Sequence, residues 1–70
     1  MSRKDFVAVA AAINNAVVQI NNTYAGDDWM TQRNAALDGI RTTATNLAGT
    51  FADVNPRFDR ARFLAACGIK

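Results

Sequence analysis

The sequence predicts an all-α fold, an antiparallel hairpin of two long helices with a short C-terminal helix that caps it. Apolar residues recur at helical spacing along two long segments, strand-like alternation is absent, and the chain has one proline. Residues 55–70 also carry the start and stop signals of a further short helix. We therefore expect a single helical domain over residues 1–70, with helices at about 3–21, 28–53 and 60–67.

The first helix is predicted from one apolar stripe. Ser2 can cap it, with Asp5 in the position of the acid of a capping box. The stripe recurs at intervals of four, three, four and three residues, and its members are Phe6, Ala10, Ile13, Val17 and Ile20. The helix is about 28 Å long at 1.5 Å per residue, and turn-forming residues at 21–26 end it.

The second helix is predicted to begin with Asp27 or Asp28 as its cap, because acidic groups favour a helix N-terminus. An unbroken heptad register then follows at Leu37, Ile40, Ala44, Leu47, Phe51 and Val54. Arg33 holds the register position between Met30 and Leu37, so the apolar seam is interrupted near its start. This helix is about 40 Å long, and the short loop before it makes it antiparallel to the first.

The start of the third helix is marked by several signals. Pro56 disfavours the helical conformation at Asn55, so the second helix should end there. Asp59 is a strong N-cap, and Phe58 just before it can pair with Phe63 as a hydrophobic staple.

The same helix is predicted to end in a Schellman motif. Gly68 can supply the left-handed residue after the helix, with Ile69 beyond it in contact with Leu64. We expect the helix to fold back and cover the open end of the hairpin with Phe58, Phe63 and Leu64.

The small size of the chain favours self-association. With 70 residues, the chain buries only about 60% of the surface that it exposes when unfolded. A single cysteine cannot form an internal disulfide, and without histidine a zinc site is not expected. The third helix is too short to line the whole hairpin, so we favour a homodimer that completes a four-helix bundle. The alternative is a compact three-helix monomer.

No residues combine into a catalytic site, so we expect neither an enzyme nor a metal or cofactor. Without histidine, a serine or cysteine nucleophile lacks its usual base. Asp27 and Asp28 could bind a cation weakly, but adjacent acids at a helix start are more typical of caps. Cys67 lies at the end of a helix, where the dipole disfavours a thiolate, so we expect a small, buried and unreactive side chain.

The charge is uneven along the chain. The net charge of +2 divides into +1 for residues 1–26, −2 for 27–54 and +3 for 55–70. The candidate binding residues in the basic segment are Arg57, Arg60 and Arg62. Placed around the start of the third helix, they could bind phosphate, as in helix-turn-helix proteins on DNA. They could equally pair with Asp53 or Asp59, or cover the apolar end of the bundle.

Two aromatic residues are a second candidate for an interaction surface. Tyr24 and Trp29 bracket the loop between the long helices, with Met30 beside them. Partly exposed aromatic residues at the end of a bundle can anchor a protein partner. They can also simply fill the mouth of the bundle.

The opening Ser2–Phe6 segment and the segment from Asn55 to Gly68, which reads NPRFDRARFLAACG, resemble small proteins encoded by actinobacteriophages of the mycobacteriophage type. The resemblance implies a phage-encoded protein in the cytoplasm of the bacterial host, and it supplies no catalytic or binding residues. Our leading expectation is a non-enzymatic helical protein that self-associates and binds a protein partner, for which a protein of the host is the candidate. The alternative is a small DNA-binding regulator that uses the basic C-terminal helix.

The longest apolar run, Val7–Ile13, is too short to cross a membrane.

Overall fold

A computed structural model describes residues 3–69 and confirms the all-α prediction. Helix α1 spans Arg3–Thr23, α2 spans Met30–Val54, and α3 spans Arg60–Ala66. A 3-10 turn at Asp27–Trp29 leads directly into α2. α1 and α2 form the antiparallel hairpin, and α3 packs against both of them.

The hydrophobic core lies at the end of the hairpin where α1 begins and α2 ends. Its buried members are Phe6, Ala10, Ala44, Ala48, Phe51, Phe63 and Cys67. Between Ala10 and Ala44, which includes the whole loop half of the hairpin, no residue is fully buried. The reason is that α3 has only seven residues and covers one half of the hairpin.

Four phenylalanine rings form the centre of this core. Phe51 lies 4.9 Å from Phe6 and 5.5 Å from both Phe58 and Phe63, measured between ring centroids. Phe58 in turn contacts Phe6 at 4.7 Å and Phe63 at 5.4 Å. Because these rings come from α1, α2, α3 and the turn before α3, the cluster joins every helix to the others. Such ring pairs contribute about 0.5–1.5 kcal/mol each beyond the area they bury.

The predicted start of α3 is confirmed. Asn55 is extended, with φ −141° and ψ 100°, and ends α2 before Pro56. Asp59 Oδ1 accepts a hydrogen bond from the backbone N–H of Arg62 at 3.0 Å, as expected of an N-cap. The contact between Phe58 and Phe63 is the predicted staple.

The predicted end of α3 is confirmed as well. Gly68 has φ 81°, and its N–H donates to the carbonyl of Ala65 at 3.0 Å. The N–H of Ile69 donates to the carbonyl of Leu64, also at 3.0 Å, which completes the Schellman pattern. A Cβ on Gly68 would lie 2.5 Å from Asn14 Oδ1 on α1, so glycine also permits the close approach of the two segments.

The expected cap of α2 is wrong. Gly26, with φ 97°, turns the chain directly into the 3-10 turn, so Asp27 and Asp28 lie inside that turn. The cap positions are Gly26 for the turn and Trp29 for α2, and neither makes a side-chain cap hydrogen bond. The expected cap of α1, Ser2, lies outside the described residues, as does Lys70.

The heptad register of α2 fails at its last member, Val54, whose side chain is 70% exposed. A straight helix of 3.6 residues per turn drifts away from a strict seven-residue repeat. Ala48, which is outside the register, is therefore buried, whereas Val54 at the end of the helix points away from the core.

Arg33, which interrupts the apolar seam of α2, ties down the loop between the long helices. Its Nη1 donates to the carbonyl of Tyr24 at 3.0 Å and, more weakly, to that of Gly26 at 3.5 Å. The guanidinium thus satisfies a carbonyl just beyond the C-terminus of α1, where the helix dipole favours a cation.

Candidate binding groove

An open groove of about 390 Å³ lies between the start of α1, the turn after α2, and α3. We call it the arginine groove, after the arginines at its rim. Its lining residues are Arg3, Phe6, Val7, Ala10, Asn55, Arg57, Phe58, Asp59, Arg62, Phe63 and Ala66. It adjoins the phenylalanine cluster, so an apolar floor is combined with a charged rim.

The rim brings together three arginines from separate parts of the chain. Arg3 comes from the first turn of α1, Arg57 from the turn after α2, and Arg62 from α3. Within residues 3–69, the only salt bridge is a weak one between Arg41 and Asp38, at 4.0 Å on the exposed side of α2. The predicted alternative, in which the basic trio pairs with Asp53 or Asp59, is therefore not what the structure shows.

The floor of the groove is apolar and partly open. Phe6 and Phe63 are buried, Phe58 is half-buried, and Val7 at the edge is 60% exposed. An apolar side chain bound here would cover these surfaces, at about 25 cal/mol for each Å² removed from water.

Two polar residues hold the turn that carries Arg57. Asn55 Oδ1 accepts from the N–H of Arg57 at 3.1 Å, and Asp59 caps α3. Because the Asp59 carboxylate already accepts a hydrogen bond at the start of α3, this helix end does not offer a phosphate the full set of free N–H groups that the sequence suggested. The anion-binding capacity of the site therefore comes from the guanidinium groups.

The opposite end of the hairpin carries the other candidate residues. The rings of Tyr24 and Trp29 lie 6.1 Å apart, between centroids, in a tilted contact. Trp29 is 49% exposed and Met30 is 46% exposed. Asp27 and Asp28 precede them and are also exposed. We call residues 25–30 the acidic loop, since its two aspartates are accompanied by no basic residue.

Cys67 lies at the C-cap of α3 and is fully buried. Burial raises the pKa of its thiol above the ordinary value, because a thiolate would lose its hydration there. The thiol therefore belongs to the core and contributes to neither surface.

The structure unites some of the predicted site residues and separates others. Arg57, in the turn before α3, and Arg62, on α3, both line the arginine groove. Arg60, which is also on α3, does not line it. Tyr24 and Trp29 contact each other at the far end of the molecule.

Sequence reasoning did not single out Arg3 and Val7 as members of the site. The predicted antiparallel hairpin could have indicated them, because it places the start of α1 beside the end of α2. Arg3 is then a neighbour of the Asn55–Asp59 turn.

Across residues 3–69, no cluster of three or more potential metal-ligating side chains is found. Over the same range, no helix combines the length and the hydropathy that a membrane span requires. Comparison with protein families, with curated proteins and with solved structures gave no significant match.

Proposed function

We propose that this chain is a small non-enzymatic protein that self-associates and binds a protein segment in the arginine groove. The observation that carries the proposal is the rim of three guanidinium groups, without ion-pair partners in residues 3–69, around an apolar floor. Arginine is enriched at protein interfaces, because its planar guanidinium binds carboxylates in a bidentate manner and also packs on aromatic rings.

The chemistry of the groove defines the segment that fits it. The apolar floor suits one aromatic or large aliphatic side chain, and the rim suits carboxylates on either side of it. The groove holds Arg3, Arg57 and Arg62 against Asp59, which gives a net charge of 3 − 1 = +2. A segment with two acidic residues would neutralise it.

Peptide display against the purified protein tests this proposal. The expected peptides carry aspartate or glutamate next to tryptophan, phenylalanine or leucine, and their affinity should fall with salt because the rim charges are exposed. The double variant Arg57→Glu/Arg62→Glu should lose binding of a labelled consensus peptide. The matched control is Lys4→Glu/Arg60→Glu, which changes the net charge equally at exposed positions outside the groove. Equal binding by both variants would refute the groove as the site.

The resemblance to phage-encoded proteins supports a protein of the bacterial host as the partner, and the host cytoplasm as the place of action. Affinity purification from host cells, with the same two variants as bait, tests this part of the proposal. A partner that depends on the groove should be recovered with the control and lost with Arg57→Glu/Arg62→Glu.

A small DNA-binding regulator is the second candidate, and it is favoured by the arginines of the groove rim, which have no ion-pair partner among residues 3–69. Counterion release predicts that such binding weakens steeply as salt rises. Absence of any mobility shift of duplex DNA at low salt would eliminate this candidate.

A further inference from the structure

The acidic loop has the properties that the arginine groove requires of a bound segment. It carries two exposed carboxylates, Asp27 and Asp28, directly before two exposed apolar side chains, Trp29 and Met30. Its charge is opposite in sign to the net +2 of the groove: the two aspartates contribute −2, and the Arg33 guanidinium, which donates to the Gly26 carbonyl, brings the local sum to −2 + 1 = −1. We propose that the groove is occupied by the acidic loop of a second copy of this chain, in an inference that rests on the proposed function of the groove.

One copy cannot make this contact within itself. The groove lies where α1 begins and α2 ends, whereas the loop joins the other ends of the same two helices. The long dimension of the molecule is 43 Å, and the packed hairpin holds the two ends apart. The loop must therefore come from another molecule.

Two antiparallel copies satisfy both contacts at once. Each copy then supplies its loop to the groove of the other, and the assembly closes as a dimer with two equivalent contacts. Val7 in the groove and Val18 near the loop are 60% and 48% exposed. They are eleven residues apart, about three helical turns, and so share one side of α1. In an antiparallel pair these valines approach each other across the two-fold axis.

The half of the hairpin nearer the loop is only partly buried, which gives a second reason for this pairing. Val17, Ile20, Leu37 and Ile40 are half-buried because α3 does not reach them all. An antiparallel neighbour lies alongside this half. Pairing two grooves face to face would instead bring six arginines together, so charge repulsion disfavours that dimer.

A charge-swap experiment tests the inference. The loop variant is Asp27→Lys/Asp28→Lys, and the groove variant is Arg57→Glu/Arg62→Glu. We expect the wild type to form dimers in sedimentation equilibrium at low salt. Each variant alone should show a dissociation constant at least about tenfold higher, since reversed charges replace attraction with repulsion. An equimolar mixture should restore the dimer, because the basic loop of one variant fits the acidic groove of the other.

Three controls make the result specific. Circular dichroism shows whether each variant keeps its helices. The variants Lys4→Glu/Arg60→Glu and Asp38→Lys/Asp53→Lys match the two charge changes at exposed positions outside both surfaces and should dimerise like the wild type. Trp29→Ala should weaken the dimer without changing any charge.

The inference fails if the wild type is monomeric at millimolar concentration, or if the mixed variants do not associate. It also fails if the loop variant dimerises like the wild type. If the groove variant nevertheless loses the displayed peptides, the groove remains a binding site and only the second copy is refuted as its occupant. If the groove variant keeps the peptides, the proposed function itself is wrong.

Discussion

Phe51 is the residue on which the core depends most, and its replacement by alanine gives the sharpest test of the packing. Its ring is 8% exposed and contacts three other rings, those of Phe6, Phe58 and Phe63. These contacts link α2 to α1, to α3 and to the turn between α2 and α3. The variant Phe51→Ala therefore removes apolar burial and leaves a cavity at the point where all the helices meet.

The expected loss for a buried Phe→Ala substitution is about 3–5 kcal/mol. At about 0.05–0.15 kcal/mol per residue, the whole stability of a 70-residue chain is roughly 3.5–10 kcal/mol. The variant should therefore be strongly destabilised or unfolded at 25 °C. The milder Phe51→Leu keeps most of the volume but loses the three ring contacts, so it should cost about 2 kcal/mol, less than the alanine variant, and remain folded.

Urea unfolding followed by circular dichroism measures these differences. The protein concentration must be the same throughout, because self-association adds to apparent stability. Val54→Ala is the matched control, since Val54 lies on the same helix but is 70% exposed. It should change the free energy of unfolding by no more than about 0.5 kcal/mol. Equal midpoints for Phe51→Ala and Val54→Ala would refute the described core.

Four further predictions concern the short helix and the buried thiol. Gly68→Ala should cost more than about 1–2 kcal/mol in urea unfolding, because φ is 81° there and the added Cβ would also lie 2.5 Å from Asn14 Oδ1. The control Gly39→Ala, inside α2 with open space around it, should instead gain up to about 1 kcal/mol. Equal effects of the two substitutions would contradict the left-handed end of α3. Asp59→Ala should cost about 0.5–2 kcal/mol in the free energy of unfolding through loss of the cap, whereas Asp59→Asn should retain most of the stability. An alanine variant as stable as the asparagine variant would argue against capping. The Cys67 thiol should react with a thiol reagent only when the protein unfolds, since it is fully buried. Burial raises the pKa of the Cys67 thiol in the folded state above the ordinary 9.0, so the contribution of the thiol to stability is complete below pH 9.0 and declines as the pH rises further. In this alkaline range the wild type should therefore lose more stability than Cys67→Ala. A parallel decline of the two proteins would contradict the raised pKa.

Local signals made the C-terminal helix predictable in detail. Asp59 and Gly68 act through residues at most four positions away, as a cap and as a left-handed stop. Such interactions depend on the chain near them and hardly at all on the rest of the fold. The start of α2 was less predictable, because a glycine-led 3-10 turn can replace a side-chain cap and produce the same helix.

The arginine groove was only partly predictable. The basic trio was visible as a charge cluster, but Arg57 and Arg62 line the groove and Arg60 does not. On a helix of seven residues, which side chains face the neighbouring helix depends on how α3 is rotated against α1 and α2. That rotation is set by the packing of Phe58 and Phe63 among the other rings.

The sequence by itself determined the helical class, the approximate helix positions and both ends of α3, because periodicity and capping are short-range properties. Only the tertiary structure decided that Arg3 joins Arg57 and Arg62 and that Val54 leaves the core. These outcomes depend on distances between residues far apart in the chain. The close packing of the phenylalanine rings sets those distances, and local sequence patterns do not encode them.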